Sequence, residues 1–156
     1  MRLTASGVGD LLGKYTALAD WKITNILDGE YICDRICEME YDALDKLKES
    51  LDGLSNRDIN AYEELMYGLL LSGLAMQMTG HSRPASGAEH HMAHFWEMAV
   101  INDEIDAYHG EKVGVGLIQV SDIYMKQVKY LKEGNFKVKD HVDIETDLIE
   151  KAFTNK

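Results

Sequence analysis

The residues in this sequence whose type and spacing could do chemistry are histidines and one aspartate. His90, His91 and His94 fall within one and a half turns of a predicted helix, and His109 stands at the start of another. His90 and His94 are spaced i, i+4 and share a helical face, while His91 points about 100° away. A neutral imidazole binds a divalent metal well, and the partial positive charge of a helix N-terminus disfavours imidazolium. His90, one turn into its helix, has that setting, as does His109 just ahead of Glu111-Lys112-Val113. Asp10 follows Gly7-Val8-Gly9, read as a flexible turn into the first helix. A carboxylate with two imidazoles leaves coordination positions open, as a catalytic metal site requires. Each residue also has a plainer reading. A lone histidine is commonly a hydrogen-bonded core or surface residue, and an aspartate at a helix start compensates the dipole by ~0.3–1 kcal/mol.

Other metal patterns fit less well. The zinc-protease signature H-E-x-x-H needs a glutamate directly after its first histidine, and that position here is His91. A di-iron bundle needs a carboxylate-x-x-His on two helices, and Asp106-Ala107-Tyr108-His109 supplies only one. Cys33 and Cys37 lie one turn apart without further thiols, which reads as core. Neither Gly7-Val8-Gly9, running on to Leu12, nor Gly114-Val115-Gly116, running on to Gln119, completes G-x-G-x-x-G. The expectation is that this chain lacks a nucleotide-binding half of its own.

These side chains must be positioned by helices. Leu11, Tyr15 and Leu18 mark one face of a helix from near Asp10, and Ile32, Ile36, Met39, Ala43 and Leu47 mark a second. Ser55-Asn56-Arg57-Asp58 is a start signal for a third, which carries the apolar run Leu65 to Thr79 and reads as a buried core helix. Ser86-Gly87-Ala88-Glu89, after Pro84, spells a capping box for a fourth helix beginning at about Ser86. Val113, Leu117, Val120, Tyr124, Val128 and Leu131 define a fifth, and Ile144 to Phe153 a weaker sixth. Breaks are expected at Asp28-Gly29, Asp52-Gly53, Thr79 to Ala85, Ala107 to Gly110 and Glu133-Gly134-Asn135. The sum is one all-α, bundle-like domain over residues 1–156. A single proline agrees with it. The net charge of −11 argues against nucleic acid and anionic membrane as partners. Two cysteines, no signal-like N-terminus and no spanning run make the cytoplasm the expected location.

Three segments together resemble a known family. They are Gly7-Val8-Gly9-Asp10-Leu11-Leu12-Gly13-Lys14 and its continuation to Trp21; Ser82-Arg83-Pro84-Ala85-Ser86-Gly87-Ala88-Glu89-His90-His91-Met92-Ala93-His94-Phe95-Trp96-Glu97; and His109-Gly110-Glu111-Lys112-Val113-Gly114-Val115-Gly116. In this order they resemble sn-glycerol-1-phosphate dehydrogenase. That enzyme's group includes glycerol dehydrogenase, iron-dependent alcohol dehydrogenases and dehydroquinate synthase. The most specific segment is Ser82 to Glu97, which glycerol dehydrogenases lack.

The resemblance implies the C-terminal helical, metal-binding domain of the dehydroquinate synthase-like fold, without its N-terminal nucleotide-binding domain. It implies Asp10, His90 and His109 as metal ligands, with zinc first and nickel or iron as alternatives. The metal would act as a Lewis acid on dihydroxyacetone phosphate as hydride arrives from NAD(P)H. His94 would orient a ligand or relay a proton, and Lys14, Arg83 and Ser86 would meet the substrate phosphate. The partners implied are a small phosphorylated polyol and either a second copy of the chain or a complementing nucleotide-binding domain. NAD(P) would bind only through that other domain, so the chain alone is expected to be inactive. Two alternatives stay open: a helical interaction or remnant module without activity, and the metal domain of a glycerol dehydrogenase-like enzyme.

Overall fold

The computed structural model describes residues 1–99, 107–134 and 136–137, and among these there are helices and no strands. The helices are α1 (Arg2–Leu12), α2 (Lys14–Asp28), α3 (Asp34–Ser55), α4 (Ile59–Thr79), α5 (Ala88–Ala99) and α6 (His109–Glu133). The all-α expectation holds. The helix expected at Ile144 to Phe153, and Asp106, lie outside the described residues. Two compact units are present, one from Met1 to Tyr124 and a second from Met125. In the second, α6 ends at the expected break, where Gly134 takes a φ of 67°.

In the first unit α3 and α4 form an antiparallel pair. Leu54 clusters with Ala61 near their connecting turn, and Ile36 with Ala75 at the far end. At the turn the Asp58 carboxylate accepts from the Asn60 N–H at 3.0 Å, an N-cap worth about 1 kcal/mol. Helix α1 adds Leu11 to the cluster of Leu44, Leu47 and Leu65, and α2 adds Leu18 and Trp21 to that of Ile36 and Ala75. Trp21 is fully buried and donates its indole N–H to the Tyr31 carbonyl at 2.9 Å, which fixes the α2–α3 connection.

The glycines behave differently from the expectation. Helix α1 starts at Arg2 rather than near Asp10, so Gly7 and Gly9 are helical and Asp10 sits in the last turn. Their purpose is proximity. A Cβ on Gly9 would press on the Gly110 carbonyl, and one on Gly110 would meet the Ser6 backbone. Helix α3 likewise runs through Asp52-Gly53 to Ser55, and a Cβ on Gly53 would stand 2.8 Å from that of Ala61.

Two further expectations are corrected. Helix α5 starts at Ala88 rather than Ser86, because Asp20 of α2 supplies the cap, accepting from the Ala88 N–H at 2.6 Å. Glu89 keeps its half of the capping box in shortened form, accepting from the Gly87 N–H at 2.8 Å. The apolar run on α4 is not wholly buried. Its inward residues are mostly small (Gly68, Ser72 and Ala75 after Leu65), while Met66, Leu70, Leu74 and Met78 form an exposed stripe at i, i+4 spacing. No helix among the described residues is long and apolar enough to cross a membrane.

Gly110→Ala should therefore destabilise the chain by about 1–3 kcal/mol, as overpacking does. Gly73→Ala, where a Cβ meets nothing within 4 Å inside α4, should stabilise it by roughly 0.5–1 kcal/mol. Urea denaturation of the two variants beside the parent checks the opposite signs.

Candidate metal centre

Three helix ends meet at one place: the last turn of α1 with Asp10, the first turn of α5 with His90, and His109, the first residue of α6. One ligand atom from each of Asp10, His90 and His109 lies within 4.8 Å of the others. His90 Nε2 is 3.1 Å from Asp10 Oδ1, and its ring centroid is 5.3 Å from that of His109.

The other ring nitrogens are held by carboxylates. His90 Nδ1 donates to Glu89 Oε1 at 2.8 Å and His109 Nδ1 to Glu97 Oε1 at 2.9 Å. Glu89 is fully buried and also accepts from the Thr16 hydroxyl at 2.6 Å and the Gly87 N–H. Burial opposes its charge, but these donors outweigh it and hold the carboxyl below its ordinary value. An ionised carboxylate can only accept, so the proton on the facing nitrogen is fixed.

The charges around His90 correct one expectation. The start of α5 was expected to keep it neutral, yet its pKa is raised: burial disfavours the cation, but hydrogen bonds to Asp10 and Glu89 more than compensate. Burial also works against ionised Asp10, and there His90 and Lys14 prevail, holding the carboxyl well below the usual range. Lys14 itself is buried at the start of α2, its Nζ 3.1 Å from the Asp10 carbonyl and 3.2 Å from Oδ1. It thereby caps the end of α1 as well as pairing with the aspartate.

A cavity of about 310 Å³ opens beside these groups, with Asp10, Lys14, Ser86, His90, His94 and His109 among its lining residues. Arg83 is not among them; it forms a two-pronged ion pair with Glu30 at 3.0 and 2.8 Å. His94 is half exposed, with Nδ1 3.1 Å from Glu97 Oε2, and its ring stacks on His109 at 5.2 Å.

No protein-family model matches this chain. Curated relatives do. A Bacillus licheniformis protein named glycerol-1-phosphate dehydrogenase [NAD(P)+] is 44% identical over 123 residues, 78% of this chain and 31% of its own length. The protein of that name from Sulfolobus acidocaldarius is 40% identical over 126 residues, 79% of this chain and 34% of its own. That from Pyrococcus furiosus is 31% identical over 137 residues, 88% of this chain and 39% of its own. Over the matched stretch, this chain is similar to proteins named glycerol-1-phosphate dehydrogenase. It spans about a third of the length of these relatives. The family's relatives named here carry NAD(P)+ in their names, which makes this an oxidoreductase family.

Several residues at this centre escaped the sequence reading. Glu97 stands i+3 from His94, a helical pairing visible in the sequence, but nothing there pointed to His109 as its second partner. Glu89 was legible as a capping residue and not as the anchor of a neighbouring imidazole. Glu40 gave no signal. It is fully buried on α3. Burial pushes its carboxyl up to about 7 against the pull of the Lys14 charge and of the Ser72 hydroxyl.

A carboxyl raised from 4.5 to about 7 binds more protons in the folded chain than in the unfolded one across that interval. Stability should consequently fall as pH rises from about 4.5 to 7, by up to about 3 kcal/mol from this group, and level off above. Glu40→Gln should remove that slope and be more stable than the parent at pH 7.5. Urea midpoints of both proteins across the interval test this; equal slopes would count against it.

Proposed function

We propose that this chain is the metal- and substrate-binding helical domain of a glycerol-1-phosphate dehydrogenase-like oxidoreductase. In this reading Asp10, His90 and His109 hold a divalent cation, and the adjoining cavity receives dihydroxyacetone phosphate. The observation that carries the reading is the convergence of one carboxylate and two imidazoles, from three separate helices, in a chain similar to proteins of that name.

The donor set fits a cation on the chain's own chemistry. Both imidazoles have Nδ1 engaged by a carboxylate, which leaves Nε2 as the coordinating nitrogen and raises its basicity. Asp10 is kept ionised by Lys14 and His90. Two imidazoles and a carboxylate with open positions suit zinc first, with nickel and iron as alternatives. When bound, the cation supplies a Lewis acid toward the ketone oxygen of the substrate.

The remaining residues bind and orient. His90 gives up its Nε2 proton as a cation arrives, so affinity rises with pH. Lys14 and Ser86, on the cavity wall, meet the phosphate, the former as a desolvated point charge. Arg83 joins them only by leaving Glu30. His94, open to solvent, tied to Glu97 through Nδ1 and on the cavity wall, is the residue placed to relay a proton to the substrate oxygen. NAD(P)H, which would supply the hydride, would be held by the part of the enzyme beyond this third of its length. The exposed stripe of Met66, Leu70, Leu74 and Met78 offers that part an apolar seat, since stripes of this kind mark contact surfaces.

Equilibrium dialysis of the chain against equimolar zinc should recover about one tightly held ion per chain. Asp10→Ala, His90→Ala and His109→Ala should each lose it while retaining helical circular dichroism. Glu89→Gln should weaken affinity about 10- to 100-fold, as loss of a ligand's anchoring carboxylate does. A folded parent chain that retains no metal would instead favour the non-catalytic interaction module.

A further inference from the structure

Glu97 does more than steady His109. It lies one turn after His94 on α5, and each of two imidazoles meets a different one of its oxygens, His94 Nδ1 at 3.1 Å from Oε2 and His109 Nδ1 at 2.9 Å from Oε1. One ligand atom from each of His94, Glu97 and His109 lies within 4.8 Å of the others. A tetrahedral zinc with bonds of about 2.0–2.2 Å keeps neighbouring ligand atoms roughly 3.4 Å apart, so each histidine–carboxylate spacing has to open by only a few tenths of an ångström.

We infer that His94, Glu97 and His109 form a second, outer zinc site on the rim of the cavity, filled only when metal is in excess of the inner Asp10–His90–His109 site. The outer donor set matches the inner one, two imidazoles and a carboxylate, and in both a lysine ammonium stands 3.2 Å from the carboxylate, Lys14 beside Asp10 and Lys112 beside Glu97. Exposure makes the outer one weaker: His94 is 53% exposed, so water competes for the position.

The sites are coupled through His109, whose ring centroid is 5.3 Å from that of His90 and 5.2 Å from that of His94. Zinc on Nδ1 would displace the Nδ1 proton to solvent, leaving His109 an imidazolate shared by both sites, and would replace the hydrogen bond that anchors this ring to Glu97 while tying up His94 as well. Excess zinc therefore removes both the positioning of an inner ligand and the exposed imidazole at the cavity mouth. The outer site acts as an inhibitory one built from residues the inner site already needs.

The test is competitive titration of the chain with zinc against a chromophoric chelator, together with isothermal calorimetry. The parent should show two events, the second at least tenfold weaker than the first. His94→Ala, a change at an exposed side chain, should abolish the second event and leave the first within about threefold; His94→Gln serves as a second variant with the same expectation. His90→Ala should do the reverse, keeping only a weak event. A single event in the parent that both His94 variants keep, or a second event that survives in both of them, overturns the outer site. A parent showing only a weak event that His94→Ala removes would sink the inner site and leave the outer one standing.

Discussion

Helix backbones approach one another only as closely as their side chains allow, and around this centre the side chains are missing where the helices cross. Gly9 of α1 faces Gly110 of α6, and Gly110 in turn lies against Ser6. Farther along α6, a Cβ on Gly116 would stand 2.6 Å from the Glu89 carbonyl of α5. Because α6 can lie this close to both α1 and α5, a carboxylate at the end of one and an imidazole near the start of the other fall within reach of His109. The candidate metal centre is thus a packing result before it is a chemical one. A methyl group at one crossing would separate donors that no local adjustment of χ angles could reunite.

That packing explains what was legible in advance and what was not. The donor types, the helical periodicities of α3 and α6, the Asp58 cap and the position of His109 at the head of a helix all follow from local pattern. The glycines pointed the wrong way, because Gly7-Val8-Gly9 and Asp52-Gly53 carry the composition of turns while serving as flat contact faces. Sequence alone cannot separate those uses, since the missing Cβ looks the same whether it permits an unusual φ or a close neighbour. The cap of α5 was hidden for a related reason: its oxygen comes from Asp20 on a different helix, so the local Ser86 signal placed the start two residues early. Glu40 was hidden entirely, since a glutamate on an amphipathic helix is ordinarily solvated.

The electrostatics follow the same division between local and assembled. In a chain with a net charge of −11, with 16 Lys and Arg against 27 Asp and Glu, cationic side chains are the scarcer kind, and this site has two lysines, each next to a carboxylate at the centre. Lys14 offsets Asp10, and Lys112 offsets Glu97 at the rim. Glu89 is sustained differently, by a hydroxyl, a backbone N–H and an imidazole rather than by a full charge. The inner imidazole is anchored by a group that cannot leave, the outer one by a group that a competing cation can share.

Between α1 and α2 the helical path is interrupted at a single residue, Gly13, whose N–H is shared between the Gly9 and Asp10 carbonyls and whose own carbonyl takes the Thr16 hydroxyl. Asp10 lies just upstream of this joint, while Lys14 and Thr16 lie just downstream. A small rotation at Gly13 would therefore move the carboxylate, its counter-ion and the hydroxyl that steadies Glu89 in one stroke. Tuning of the pocket for a larger or smaller ion can accordingly proceed by altering one backbone angle, without exchanging any of the donors.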